Sequence, residues 1–179
     1  LNWSLFFRRM KKLEELIETH KDFPKKGIEF KDVLGIIQEP QVFKELISEM
    51  SSSQIIKNAE AIVSIDARGF IFGSAISFYS SKPMIVARKP GKLPGELTEE
   101  NYYLEYGESS LSIQNESLKK YSSYAIVDDL LATGGTIDCV ANLLRKNGKK
   151  VCGSVTVVEL LELNGRSRFD FPIESIISL

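Results

Sequence analysis

Apolar residues recur along this chain with two alternating spacings, which predicts a succession of strands and helices. Short apolar runs of strand length lie at 61–65, 84–88 and 151–159. Stretches with helical spacing lie at 40–57, 69–79 and 136–146. Repeated strand–helix units of this kind predict an α/β fold with a mostly parallel central sheet flanked by helices. Ligands of such sheets bind at the carboxyl ends of the strands, so we expect the chemistry there.

The amino-terminal pattern differs from the rest. Residues 1–9 are short, aromatic and poor in the features of a signal peptide, so we expect an extension there and a natural start at Met10. An amphipathic helix is predicted from Met10, with Leu13, Leu16 and Ile17 on one face and with His20, a surface or capping residue, at its end.

Composition favours a single cytoplasmic domain over residues 1–179. The chain is long enough to bury a full core, and 43% of its residues are apolar. A net charge of −1 does not predict nucleic acid or an anionic membrane as a partner, and no apolar run approaches the length of a membrane span. Cys139 and Cys152 lie in apolar patterns without metal-ligand spacing, so both are expected to be buried thiols.

The run from Tyr124 to Thr136 is the most informative part of the chain. A strand leads into two adjacent carboxylates, Asp128 and Asp129, and then into a glycine-rich turn that opens a helix. That turn can direct backbone N–H groups and two hydroxyls toward one point, an arrangement that binds phosphate. Its residues are Ala132, Thr133, Gly134, Gly135 and Thr136. Carboxylates repel phosphate but accept hydrogen bonds from sugar hydroxyls, so the run predicts a ribose 5-phosphate site.

Two basic segments are further candidates. The turn at 64–70 contains Arg68 and suits pyrophosphate, although Arg68 could instead pair with Asp66 on the surface. The loop that begins at Arg88 also carries Lys89 and Lys92. Alone it would be a solvated basic loop, but beside a phosphate site it reads as a lid that neutralises pyrophosphate and excludes water.

Glu105 is the candidate for proton handling. It stands between aromatic residues at the start of a hairpin predicted through Gly107, where it could be held near a reacting base. Periodicity alone would make it an exposed strand carboxylate.

The 124–136 run resembles the 5-phosphoribosyl-1-diphosphate (PRPP) motif of type I phosphoribosyltransferases, and the whole set of motifs is similar to the adenine phosphoribosyltransferase family. The matching runs are D-F-P-x-x-G-x-x-F-[RK]-D from Asp22, A-R-G-F-x-F-G from Ala67, R-K-x-G-K-L-P-G from Arg88, Y-x-L-E-Y-G from Tyr102, and V-D-D-L-L-A-T-G-G-T from Val127. An L-x-G-R element follows at Leu163–Arg166. The resemblance therefore covers the chain from Asp22 to Arg166.

The resemblance implies a type I phosphoribosyltransferase fold with a small N-terminal hood and a flexible lid loop. Residues 22–32 would be the base-binding segment of the hood, and residues 88–107 the lid. The implied reaction converts adenine and PRPP to AMP and pyrophosphate with Mg²⁺, which PRPP itself mainly holds. Relatives form homodimers, so a homodimer is expected.

The same resemblance assigns roles to the motif residues. Asp128 and Asp129 would bind the ribose hydroxyls, the turn at 132–136 the 5-phosphate, and Glu105 the proton or the positive charge of the purine. Pyrophosphate would be bound by Asp66, Ala67 and Arg68, through a strained or cis peptide, and by Arg88, Lys89 and Lys92, with Arg88 within reach of the neighbouring subunit's site. Adenine would lie between Phe30 and Leu130, with the backbone of Glu29 reading its edge.

Two departures and two alternatives accompany this interpretation. Lys31 stands where the family often has Arg, and Lys25-Lys26 replaces a pair that contains Pro, so a looser base loop and weaker substrate affinity are expected.

A transferase for a 6-oxopurine or orotate is the first alternative, which the 22–32 segment disfavours. The second is a non-catalytic PRPP-sensing regulator, which would not need Glu105 or the lysines of the lid.

Overall fold

The computed structural model describes residues 11–104 and 107–179, which form two compact units divided between Ile47 and Ser48. The extension and start predicted at residues 1–10 lie outside the described residues. The single domain predicted for residues 1–179 stays a prediction. No helix in the described ranges is long and apolar enough to cross a membrane.

The smaller unit contains a two-stranded antiparallel sheet. Helix α1 (residues 11–15) precedes β1 (Glu18–Lys21), which pairs with β2 (Glu29–Asp32). A short helix, α2 (Leu34–Ile37), follows, and α3 (Pro40–Ser52) begins in this unit.

The predicted face of the first helix is only partly right. Leu13 lies in α1 and is fully buried, but Leu16 and Ile17 follow the helix. His20 does not end a helix, because the chain is already extended there and His20 pairs with Phe30 across the two strands.

The turn between β1 and β2 holds the predicted base-binding segment. Asp22 has φ 59°, the Phe23–Pro24 peptide is cis, and Gly27 has φ 90°. The Gly27 N–H donates to Asp22 Oδ1 at 2.7 Å, which closes the turn. Phe23 packs edge-on against Phe30, with ring centroids 5.2 Å apart.

The larger unit is built on a five-stranded parallel sheet. Its strands are β3 (Ala61–Ile65), β4 (Met84–Ala87), β7 (Ser123–Leu131), β8 (Lys150–Glu159) and β9 (Ile173–Ser178), in the spatial order β4-β3-β7-β8-β9. Between β4 and β7 the chain forms an antiparallel hairpin of β5 (Leu97–Leu104) and β6 (Gly107–Gln114). The strands predicted at 61–65, 84–88 and 151–159 are confirmed to within a residue. Arg88 leaves β4 and forms an isolated bridge with Ser112.

Helices cover both faces of this sheet. They are α4 (Gln54–Asn58), α5 (Gly69–Ser80), the short α6 (Asn115–Leu118) and α7 (Gly135–Lys146). Val63 belongs to the core cluster formed with α7, whereas the Ser64 hydroxyl donates to the Gly69 carbonyl of α5 at 2.6 Å. Because neighbouring strand residues point to opposite faces, α5 and α7 lie on opposite sides. The predicted α/β class is confirmed.

The helix predicted over 40–57 is two helices. Ser53 interrupts it with extended backbone (ψ 139°), and its hydroxyl accepts a hydrogen bond from the Ile55 N–H at 3.0 Å. Serine favours this capping role because its oxygen satisfies an N–H that the first helical turn leaves unpaired. The new helix, α4, therefore begins at Gln54.

The two cysteines are free thiols. Cys139 is buried in α7, and burial raises the pKa of its thiol to about 12, so it stays protonated. Cys152 is only half-buried, because it lies near the start of β8, where the strand is still partly exposed.

Candidate active site

The acid pair lies inside strand β7 rather than beyond its end. β7 pairs with β8 as far as Leu131 opposite Glu159, so the strand continues past both carboxylates. Asp128 is 8% exposed and Asp129 is 5% exposed, which is rare for two adjacent acids. Such burial requires compensating contacts.

A cavity of about 320 Å³ opens beside the acid pair. Its lining combines five parts of the larger unit: Asp66–Arg68, Lys89, Tyr102, Asp128–Leu130 and Ala132–Ile137. The cavity thus brings together the residues predicted to bind ribose, the 5-phosphate and part of the pyrophosphate. The first two groups belong to one run of the sequence, 124–136, whereas the pyrophosphate residues come from two other segments.

Each carboxylate of the pair has a different environment. Asp128 Oδ1 accepts the Asp129 N–H at 2.9 Å, and its pKa is raised well above the usual range by burial first and by the Asp129 charge second. Asp129 Oδ2 lies 2.7 Å from Arg68 Nε. Two carboxylates this close would otherwise repel each other, so the guanidinium offsets part of that cost.

The glycine-rich turn forms the amino-terminal end of α7. Gly134 has φ 84°, a conformation that glycine adopts without strain, and its carbonyl accepts the first helical bond, from the Asp138 N–H at 2.9 Å. The N–H groups of residues 135–137, in the first turn of α7, therefore come before the first helical hydrogen bond and are suited to bind an anion. All five predicted residues of the turn line the cavity.

The turn after β3 brings Arg68 to the acid pair. The Asp66–Ala67 peptide is cis, as the resemblance implied, and the Asp66 N–H is bonded to the Ala87 carbonyl at 2.9 Å. The alternative in which Arg68 pairs with Asp66 is wrong, because Arg68 reaches Asp129 instead. Gly69 allows the turn to lie close to the acid pair, because a Cβ at this position would be only 2.8 Å from Asp128 Oδ1.

The predicted lid is divided between a loop and a hairpin. Residues 89–96 form the loop, and β5 begins at Leu97. Lys89 lines the cavity, whereas Lys92 is exposed and is not part of the lining. Arg88 Nε lies 3.1 Å from Asp66 Oδ2, and its guanidinium lies 5.6 Å from the centroid of the Phe70 ring. In this structure Arg88 therefore braces the turn at Asp66.

The predicted adenine-binding residues lie in different units. Leu130 lines the cavity, whereas Glu29 and Phe30 lie on β2 of the smaller unit. Glu105 lies outside the described residues. Their roles stay predictions.

Comparison with known proteins decides the family. Residues 35–174 match the phosphoribosyl transferase domain. An adenine phosphoribosyltransferase of Prochlorococcus marinus (strain MIT 9515) is 73% identical to this chain over 167 residues, which cover 93% of this chain and 98% of that protein. This chain belongs to the adenine phosphoribosyltransferase family.

Solved structures of the same family share its fold. The adenine phosphoribosyltransferase of Thermoanaerobacter pseudethanolicus superimposes with a TM-score of 0.88 at 36% identity, covering 95% of this chain and 99% of that one. The Giardia lamblia enzyme, complexed with 9-deazaadenine, gives a TM-score of 0.89 at 28% identity and covers 95% and 97%.

Two residues that line the cavity of this family member were not predicted from the sequence. Tyr102, on β5, is 8% exposed, and Ile137 lies in the first turn of α7. Tyr102 opens the Y-x-L-E-Y-G run, in which only the carboxylate carries a chemical signal. Ile137 reads as an ordinary core position, so no sequence signal marked it.

The residues around the cavity would fit a magnesium ion that is held mainly by substrate phosphates. The described residues contain no cluster of three or more His, Cys, Asp or Glu side chains that could hold a metal. Asp128 and Asp129 nevertheless border the cavity. Mg²⁺ commonly takes one or two carboxylates together with substrate phosphates, which matches this donor set.

Proposed function

We propose that this chain transfers the 5-phosphoribosyl group of PRPP to adenine in the cavity beside Asp128 and Asp129, releasing AMP and pyrophosphate. This is the purine salvage reaction of its family. The observation that carries the placement is the convergence of the acid pair, the turn at 132–136 and the turn at 66–68 on one cavity.

The turn at 132–136 supplies the 5-phosphate site. Backbone N–H groups at the amino-terminal end of α7 donate to the phosphate oxygens, and the helix dipole favours the negative charge. The Thr133 and Thr136 hydroxyls border the same space and add side-chain donors. Fixing this phosphate fixes the position of the sugar that carries it.

The acid pair orients the ribose. Carboxylate oxygens accept hydrogen bonds from the 2- and 3-hydroxyls, and such charge-assisted bonds are stronger than neutral ones. Because Arg68 pairs with one Asp129 oxygen, the orientation of that carboxylate is fixed before the ribose binds. Positioning of this kind lowers the entropic part of the barrier.

Arg68 and Lys89 receive the pyrophosphate. Both border the cavity, and their positive charges stabilise the negative charge that develops as the bond from C1 to the leaving group breaks. Mg²⁺, when bound with PRPP, would neutralise further phosphate charge. The lid residues Arg88 and Lys92 are proposed to add to this once substrate is present.

Adenine recognition is proposed for Glu29, Phe30 and Leu130. The two apolar side chains would contact the faces of the purine, and the Glu29 backbone would pair with the 6-amino group and N1. A 6-oxopurine reverses the donor and acceptor at these atoms, and the groups left unpaired give a cost of several kcal/mol. Glu105 is proposed to handle the N9 proton or to stabilise positive charge on the purine.

The experiment is AMP formation from adenine, PRPP and Mg²⁺, comparing Asp129→Asn with Asp170→Asn. Asp170 is an exposed carboxylate of the same unit, so its variant keeps activity. Asp129→Asn is expected to lower kcat/KM for PRPP roughly 10- to 100-fold, the value of a lost charged hydrogen bond. Equal activity in both variants would contradict the placement of the ribose.

Two wider features remain proposals. A homodimer is expected, and light scattering would then give twice the 20.1 kDa mass of the chain. The cytoplasmic location expected from the sequence stays a prediction.

A further inference from the structure

The L-x-G-R element at Leu163–Arg166 has no part in the function proposed above. The structure places it against the outside of the phosphate-binding turn. A Cβ on Gly165 would collide with the Ala132 carbonyl oxygen and lie 3.0 Å from the Thr133 carbonyl carbon. Gly165 is buried but does not line the cavity.

This contact bears on the direction of a phosphate donor. In a trans peptide the C=O and the following N–H point in opposite directions. The Ala132 carbonyl faces Gly165, so the Thr133 N–H of the same peptide points away from Gly165. Ala132 and Thr133 both border the cavity, whereas Gly165 does not. Gly165 therefore limits how this peptide can rotate.

A second contact encloses the turn at its glycine. A Cβ on Gly134 would lie 3.1 Å from the Gly165 carbonyl oxygen and 2.9 Å from Cζ of Phe169. The two glycines let the two backbones approach closely. A packed backbone of this kind can move little without displacing its neighbour.

Arg166 holds the element in place. Its Nε donates to Glu159 Oε1 at 3.0 Å, its second guanidinium nitrogen pairs with Oε2, and Nη1 donates to the Ile173 carbonyl at 2.5 Å. Glu159 is 3% exposed and ends β8 opposite Leu131, the residue before the turn. The fork-to-fork pair thus closes residues 159–166 into a loop anchored next to the phosphate site.

We propose that Arg166 and Gly165 are positioning residues for the 5-phosphate, with Glu159 as their anchor. The Arg166–Glu159 pair fixes the 159–166 loop, and Gly165 then holds the peptide between Ala132 and Thr133 with its N–H toward the ligand. The inference rests on the proposed function of this turn. Loosening the loop should weaken binding of a sugar 5-phosphate more than binding of pyrophosphate, which the turn at 66–68 receives.

The test uses the full chain and two ligands, ribose 5-phosphate and pyrophosphate, titrated by calorimetry with Mg²⁺ present. The variants are Gly165→Ala, Arg166→Met and Arg166→Lys, and the control is Arg145→Met. Arg145 also pairs with a carboxylate, but its partner Asp170 is 73% exposed and lies on the surface. KM for PRPP and for adenine is measured beside the dissociation constants.

Gly165→Ala and Arg166→Met are expected to raise the dissociation constant of ribose 5-phosphate and KM for PRPP about 10-fold or more, while that of pyrophosphate changes less than about threefold. Arg166→Lys keeps the charge but not the fork, so it should give an intermediate effect and serves if the methionine variant does not fold. General loss of structure would lower the binding of both ligands together.

Parallel weakening of both ligands, or no change in any variant, would overturn the inference. Wild-type protein that neither binds ribose 5-phosphate nor converts adenine and PRPP would instead refute the proposed function. The two failures are therefore distinguishable.

Discussion

Arg68 Nε lies 2.7 Å from Asp129 Oδ2, so a residue predicted to bind pyrophosphate is joined to one predicted to bind ribose. Asp129 is almost excluded from water, whereas about a quarter of the Arg68 side chain is exposed. The pair therefore forms a fixed corner of the cavity from which the guanidinium can also reach a ligand. Stability and ligand binding should consequently depend on the same contact.

Replacing Arg68 with Met tests that dependence. Met keeps much of the volume but removes the cation, so pyrophosphate should bind about 10-fold more weakly or worse. Asp129 would be left buried beside another acid, which should lower the free energy of unfolding by about 2 kcal/mol. Calorimetry and urea unfolding measure the two effects. Arg145→Met, at an exposed ion pair, should cost clearly less, and an equal loss there would contradict the account.

Asp128→Asn should stabilise the free protein while it impairs the reaction. Asn retains an oxygen that can accept the Asp129 N–H, but it removes a buried charge next to another carboxylate. We expect the free energy of unfolding at neutral pH to rise by about 1 kcal/mol. A charged acceptor for ribose is lost, so kcat/KM for PRPP should fall roughly 10- to 100-fold.

The pH dependence gives this variant a second check. The pKa of Asp128 is raised in the folded state, so between the unfolded and folded values the folded protein binds more protons. The wild type should therefore gain stability as the pH falls through the folded pKa, and its deficit against Asp128→Asn should shrink. A deficit that grows in acid would contradict the raised pKa.

The Glu159–Arg166 pair should have the opposite pH dependence. Hydrogen bonding from Arg166 lowers the pKa of Glu159 below its usual 4.5, although burial opposes this. The stabilisation is thus present above pH 4.5 and is lost as the pH falls through the folded pKa. Arg166→Met should cost about 1 kcal/mol at pH 7, a value reduced by the exposure of the guanidinium. The gap between the two proteins in urea unfolding should narrow in acid; a constant gap would be inconsistent with the pair.

Glu105→Gln separates an enzyme from a PRPP sensor. If Glu105 handles the purine proton, kcat should fall by about 100-fold or more while PRPP still binds. Steady-state kinetics and calorimetry give the two numbers. Glu99→Gln, at an exposed carboxylate on β5 of the same hairpin, should leave kcat unchanged. A change below about threefold for Glu105→Gln would remove that residue from the mechanism.

The sequence predicted the parallel sheet and the cavity well, because both depend on local signals. Strand runs such as 61–65 are mostly apolar, and the turn at 132–136 needs particular small residues at a helix start. Once the strand order is known, it places the residues at the ends of these segments around one cavity.

Contacts between side chains distant in sequence were not predictable in the same way. Nothing local distinguishes Arg68 pairing with Asp129 from Arg68 pairing with Asp66, and only the sheet brings β3 beside β7 to decide it. The break at Ser53 was missed because apolar spacing continues across it, while a single hydroxyl restarts the helix. Likewise, Gly165 gives no sign in sequence that it faces Ala132.

The most direct test of the central claim is pyrophosphate release from PRPP and Mg²⁺ with adenine, hypoxanthine, guanine and orotate measured in parallel. We predict turnover with adenine about 100-fold or more above the other bases, since a 6-oxopurine leaves donors and acceptors unpaired. Comparable or faster turnover with a 6-oxopurine or orotate would contradict the proposed base recognition. Absence of turnover with every base, while PRPP still binds, would contradict the enzyme itself.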